Sequence, residues 1–251
     1  MKFIIKATLI AITMIALFSL ATSRSQSKTN KARKLSAYTG WNSDGSGNVI
    51  YLDRHNIQCP TGSALYYFRY DRKSKTKQFR YKAKCVSHLS IKSSGITKHN
   101  SGRWEKKENK GTNFLDRLVV KCPAGKVLSQ VKLANGGGDK IRYEFSCTPA
   151  DLGKCYTKTT KSTMGGKNYE SYYLDRQSVR LMDGYGTAMT GFHLITKYIG
   201  GWFASNNVEY SYFISYCDLK AVEPVPPAQM AADEIMRKSK IVDARERNVR
   251  R

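Results

Sequence analysis

One pattern of residues recurs three times along this chain, and it restricts the fold more than any other feature. The first copy runs Tyr51-Leu52-Asp53-Arg54, Cys59-Pro60-Thr61-Gly62, Leu65, Phe68, Arg80-Tyr81 and Cys85. The second runs Phe114-Leu115-Asp116-Arg117, Cys122-Pro123-Ala124-Gly125, Leu128, Val131, Arg142-Tyr143 and Cys147. The third keeps Tyr173-Leu174-Asp175-Arg176 but has Leu181-Met182-Asp183-Gly184 where Cys-Pro-x-Gly should stand, then Met189, Phe192, Tyr210, Tyr212 and Cys217. Trp41 and Trp104 precede the leucines of the first two copies at equal distance. The leucines Leu52, Leu115 and Leu174 recur at a period near 60 residues, so each copy is one supersecondary unit stacked on similar units.

Each unit reads as strands. Phe79, Tyr81, Ala83 and Cys85 alternate with Arg80, Lys82 and Lys84, and Ile141, Tyr143, Phe145 and Cys147 alternate with Arg142, Glu144 and Ser146. A period of two puts one set on a core face and the other toward water. Gly-rich turn signals at 44–47, 135–139, 165–166 and 200–201 separate the runs. Residues 37–220 are therefore expected to form one all-β domain of three pseudo-symmetric, disulfide-containing repeats. The six cysteines allow 15 connectivities. Equivalent places pair Cys59 with Cys85 and Cys122 with Cys147, which leaves Cys155 for Cys217.

The ends read differently. Lys2 and Lys6, an uncharged apolar stretch from Ala7 to Leu20 and the small residues Ala21-Thr22-Ser23 make residues 1–25 a secretory signal peptide. The apolar stretch is short for a spanning helix, and no later segment could cross a membrane as a helix, so the product is expected to be secreted and extracellular. Residues 26–36 form a basic N-terminal segment. After the domain, Pro224, Pro226 and Pro227 mark a stiff linker within 221–251. Its last part reads as a short C-terminal helix, with Ala231, Ala232, Ile235, Met236 and Val242 on one stripe, or as disorder. Such a stripe offers a docking surface for a protein partner.

Charge narrows the partners. The chain has 43 Lys+Arg against 19 Asp+Glu, a formal net charge of +24, which attracts polyanions. Outside a cell these are acidic glycans and matrix polyanions rather than nucleic acid. The run Arg72, Lys73, Lys75, Lys77, Arg80, Lys82 and Lys84 contains no acid and is the expected contact. Arg80, Lys82 and Lys84 project from one strand face while Phe79 and Tyr81 anchor the other. The pairs Asp53-Arg54, Asp116-Arg117 and Asp175-Arg176 read as structural ion pairs or turns, repeated because the fold repeats. As strand neighbours their side chains would point to opposite faces.

The remaining motifs point away from catalysis and cofactors. Cys-Pro-x-Gly is a turn, since glycine stands where a second metal ligand would be. Asn42, Asp44, Ser46 and Asp53 loosely fit a calcium loop, but no helix flanks them. His55, His88, His99 and His193 sit among lysines and polar residues, and no Gly-x-Ser-x-Gly, His-Glu-x-x-His or phosphate-binding loop occurs. The chain is therefore expected to be a non-enzymatic binding protein without metal or cofactor. The alternatives are a structural subunit of an extracellular coat, a secreted hydrolase or nuclease, and a membrane-active defence protein.

The order Asp-Arg, Cys-Pro-x-Gly and a charged-aromatic strand ending in Cys resembles the repeat of the dermatopontin family, over residues 37–220. That family's hexapeptide carries Trp two positions after Asp-Arg. Here His55-Asn56-Ile57, Leu118-Val119-Val120 and Gln177-Ser178-Val179 follow instead. The resemblance implies a secreted, Tyr-rich protein of adhesion or matrix assembly.

Overall fold

A computed structural model of the protein describes residues 32–165, 169–181, 186–199, 207–221 and 236. Among these residues the chain forms fifteen strands, five per repeat in the same order. The first repeat holds β1 (Arg33–Tyr38), β2 (Asn42–Ser43), β3 (Asn56–Gln58), β4 (Ser63–Lys73) and β5 (Gln78–Ser87). The second holds β6 (Thr97–Asn100), β7 (Glu105–Lys106), β8 (Val120–Lys121), β9 (Lys126–Asn135) and β10 (Lys140–Pro149). The third holds β11 (Leu152–Thr159), β12 (Thr163–Met164), β13 (Ser178–Arg180), β14 (Thr187–Ile199) and β15 (Asn207–Leu219). The fold is all-β, with three repeat units and three sheets.

Each sheet is built the same way. The fourth and fifth strands of a repeat form an antiparallel hairpin, and the first and second strands pair with the fifth. The third strand leaves its own repeat: β3 pairs with β9, β8 with β14, and β13 with β4. The last pairing returns the third repeat to the first, so the three units close into a cycle. Gly191 makes one of these joints possible. A Cβ there would lie 2.4 Å from the Val120 carbonyl oxygen of β8. Gly191→Ala should therefore lower stability by about 1–3 kcal/mol through overpacking, measured by denaturant unfolding.

The repeat residues have definite places in this frame. Leu52, Leu115 and Leu174 are buried in the core. Phe68 and Phe192 hold equivalent positions and pack at 4.9 Å, with Tyr143 at 5.7 Å from Phe192 and Tyr212 at 5.6 Å from Phe68. Cys-Pro-x-Gly is the expected turn, with Ser63 N–H donating to Pro60 O and Lys126 N–H to Pro123 O. Gly62 and Gly125 both adopt φ of 72°, which favours glycine. Each repeat also begins earlier than its tryptophan. The backbone N–H groups of Tyr81, Tyr143 and Tyr212 donate to Thr39 Oγ1, Ser101 Oγ and Thr160 Oγ1, at 2.8, 3.0 and 2.8 Å.

Disulfides join Cys59–Cys85, Cys122–Cys147 and Cys155–Cys217. The third differs in kind from the other two. Register places Tyr216, opposite Met189, where the first repeat has Cys85 opposite Leu65. Cys217 is thus one residue past the equivalent site, and its bond ties neighbouring strands β11 and β15 at their paired positions.

Four sequence expectations need correction. Leu-Asp-Arg is not a strand: it ends the 3-10 helices Val49–Arg54, Thr112–Arg117 and Ser171–Arg176. Three residues per turn bring positions i and i+3 together, so Arg54 stacks on Tyr51 at 4.1 Å, Arg117 on Phe114 at 4.3 Å and Arg176 on Tyr173 at 4.7 Å. The Asp-Arg pairs are consequently not repeated ion pairs. Among the described residues only Arg117 Nε and Asp116 Oδ1 come within range, at 4.0 Å. Residues 44–47 do not turn a hairpin but lead through a short 3-10 turn into the Val49–Arg54 helix. Finally, β1 starts at Arg33, inside the segment read as a basic arm.

Residues 1–25, read as a signal peptide, residues 26–31, the Met182–Gly184 part of the worn motif and the turn glycines Gly166, Gly200 and Gly201 lie outside the described residues. So does the tail helix expected within 222–251, except Met236, which is exposed. No helix among the described residues is long and apolar enough to cross a membrane.

Candidate functional site

The pairing register allows the outward faces of the three sheets to be compared row by row. In the first sheet one row reads Arg180, Tyr67, Lys84, Ser36 and the next Ser178, Arg69, Lys82, Tyr38. In the second sheet the same rows read Gln58, Gln130, Ser146, Lys98 and Asn56, Lys132, Glu144, Asn100. In the third, the first row reads Lys121, Gly191, Ser215, Thr157, and the second continues as His193, Phe213, Thr159. A further row pairs Arg80 with Asp71, Arg142 with Ala134, and Ser211 with Ile195. Arg69, Arg80, Lys82, Lys84 and Arg180 thus share the first face with Asp71. The second face mixes Lys98, Lys132 and Arg142 with Glu144 and amides. Among the described residues only the first is strongly basic.

The seven cations predicted from sequence divide by what they touch. Arg72 is half-buried and bound to an interior group: its guanidinium bonds Asp44 Oδ2 at 2.9 Å through Nη2, Asp44 is 1% exposed, and the Tyr172 ring lies 4.2 Å away. Arg80 and Lys82 share Asp71 at 3.1 and 3.0 Å. Partial burial opposes ionisation of Asp71, but the hydrogen bonds and charges of Lys82 and Arg80 outweigh it and hold the carboxyl below its usual range. Arg80 also lies 4.5 Å from the Trp41 ring, with Lys73 at 4.2 Å from the same ring. Lys73, Lys75, Lys77 and Lys84 are exposed, and none of them is ion-paired among the described residues.

The register adds two cations that the linear run could not contain. Arg69 stands opposite Lys82, and Arg180, 111 residues further along the chain (180 − 69) in the third repeat, reaches this face because β13 pairs with β4. The tryptophan also gains a role. Arg80 covers Trp41 and Arg142 covers Trp104 at 4.2 Å. The third repeat has Ser162 and Ser211 at these places, so both members of the pair are lost together. Comparing the copies by eye could have found that coupling.

Other candidate groups have structural partners. The carboxylate of Asp44 accepts Ser46 N–H on Oδ1 and Arg72 on Oδ2, so calcium in the 42–53 loop would have to displace an arginine. Asp116 and Asp175 are half-buried, and burial raises their carboxyls despite nearby arginines. His55 ends the Val49–Arg54 helix, His88 follows β5, His99 lies on β6 and His193 on β14. Burial lowers His55, His88 and His193 alike.

No protein family, curated protein or solved structure matches this chain.

Proposed function

We propose that this protein is exported and binds acidic polysaccharide or matrix polyanion, without catalysis, through the outward face of its first sheet. The observation that carries the reading is the row comparison. Three faces of one architecture differ in charge, and the first concentrates Arg69, Arg80, Lys82, Lys84 and Arg180 around a single carboxylate. Tyr38, Tyr67 and Trp41 lie among these cations, and aromatic rings suit the apolar faces of sugars as well as neighbouring cations. The strands fix the spacing, so the charges stand on a rigid surface. Three disulfides support an oxidising compartment, and the signal-like residues 1–25 support export. The dermatopontin-like repeat motifs support an extracellular adhesive or assembly role.

The test is elution from a heparin column. Arg69→Ser/Lys84→Ser/Arg180→Ser removes three cations that form no salt bridge among the described residues. At about 1 kcal/mol per cation near an anionic surface, affinity should fall on the order of 100-fold, with clearly earlier elution. Exposed charges contribute little to folding, so unfolding should shift by less than about 1 kcal/mol. Wild-type binding should also weaken steeply as salt rises. Equal elution of variant and wild type would place binding elsewhere, and a wild type that passes through the column would end the proposal.

A further inference from the structure

The third face differs from the first by deletion. Where the first sheet carries Tyr67 beside Lys84, the third carries Gly191 beside Ser215. Their row continues to Lys121 on one side and Thr157 on the other. Removing two large outward side chains leaves an open trough of about 790 Å³, lined along this row by Lys121, Thr157 and Ser215, with Thr190 beside them. That volume falls within the range of about 300–1,000 Å³ usual for small-molecule sites. The Cys122–Gly125 turn forms one wall, and the Cys155–Cys217 disulfide forms another.

We infer that this trough is a second binding site, for an acidic saccharide residue of the uronic-acid type. Its chemistry matches such a ring group by group. The walls are largely apolar, and Pro123, Ala124 and the Cys155–Cys217 disulfide offer surface to the C–H face of a pyranose. Thr157, Thr190 and Ser215 supply hydroxyls that can both donate to and accept from ring hydroxyls. Lys121 and Lys126 supply positive charge for a carboxylate, and no carboxylate is among the described lining residues. The backbone requirement at Gly191 keeps the trough open, because any side chain there would strike β8.

The site is independent of the basic face, and the experiment separates the two. The probe is a hyaluronan tetrasaccharide, which carries carboxylates and no sulfate, titrated into the full chain with backbone amide shifts as the readout. Saturable shifts are expected at Lys121, Thr157 and Ser215. Lys121→Gln should weaken the affinity about tenfold, and Ser215→Gln, which fills the trough without adding charge, should abolish saturation. Heparin also contains uronic acids, so both variants should elute slightly earlier than wild type and far later than the basic-face variant, whose lost cations face the sulfates. Absence of saturable shifts in the wild type would overturn the inference, as would shifts confined to Arg69, Lys84 and Arg180. So would variants that bind the tetrasaccharide as wild type does. Loss of heparin retention in the basic-face variant with the trough titration unchanged is the expected complement.

Discussion

Taking the protein from pH 7 to pH 4 will cost it about 3 kcal/mol of folding stability through His55 alone. The side chain is buried against Phe79, with ring centroids 4.2 Å apart. Burial first, and the charge of Arg54 second, lower its pKa from 6.5 to about 4. Thr39 Oγ1 accepts Tyr81 N–H and shares a hydrogen bond with His55 Nδ1 at 2.8 Å. His55 Nε2 is buried without a hydrogen-bond partner, so a proton added there on ionisation gains nothing to offset its burial. A histidine depressed in the fold stays neutral while the unfolded chain takes up a proton. Its contribution is therefore intact above pH 6.5 and is lost as pH falls toward 4. The sister repeats show which replacements the site accepts: Leu118 and Gln177 occupy the same helix-ending position and are both buried. Denaturant unfolding across this range should show the loss in wild type. The difference between wild type and His55→Leu or His55→Gln should change by about 3 kcal/mol between the two ends. Parallel curves for all three proteins would refute the assignment.

What the sequence disclosed follows from how each signal is encoded. The β5 and β10 strands were legible because Phe79 to Cys85 and Ile141 to Cys147 alternate strictly, and alternation is a local property. The disulfides were legible because the copies repeat their spacing. Leu-Asp-Arg was misread because the six-residue helices are too short to show a period. What revealed them was the stacking of Arg54, Arg117 and Arg176 on rings three residues earlier. The pairing of Cys155 with Cys217 came from elimination, and the one-residue offset of Cys217 was visible only in the register. The basic face was half legible. Arg80, Lys82 and Lys84 lie on one strand and could be read in line, whereas Arg69 and Arg180 join them through pairings that no local pattern encodes. The trough was invisible, because it is made of what Gly191 and Ser215 lack.

Arg72→Ala should destabilise the protein by about 3–5 kcal/mol, far more than any other substitution in the basic run. The reason is the partner it leaves behind. Asp44 is 1% exposed, its Oδ2 is bonded by Arg72, and its Oδ1 already accepts Ser46 N–H. Without the guanidinium the carboxylate is buried unpaired, and an uncompensated buried charge is among the most costly defects a fold can carry. The second repeat has an ion pair of reversed polarity nearby, made with the counterpart of Lys77 rather than of Arg72. Asp44 N–H donates to Lys77 O and Lys107 N–H to Asp139 O, which makes Asp44 and Lys107 equivalent, and the buried Lys107 ammonium lies 2.9 Å from Asp139 Oδ1. Neutral replacement on both sides should therefore be tolerated where a single truncation is not. Asp44→Asn/Arg72→Met, which retains an acceptor for Ser46 N–H and most of the apolar stem, should recover the greater part of the lost stability. Denaturant midpoints of wild type, single and double variants measure this directly. A loss below about 1 kcal/mol for Arg72→Ala, together with a large drop in the salt needed to elute it from heparin, would return Arg72 to the binding face.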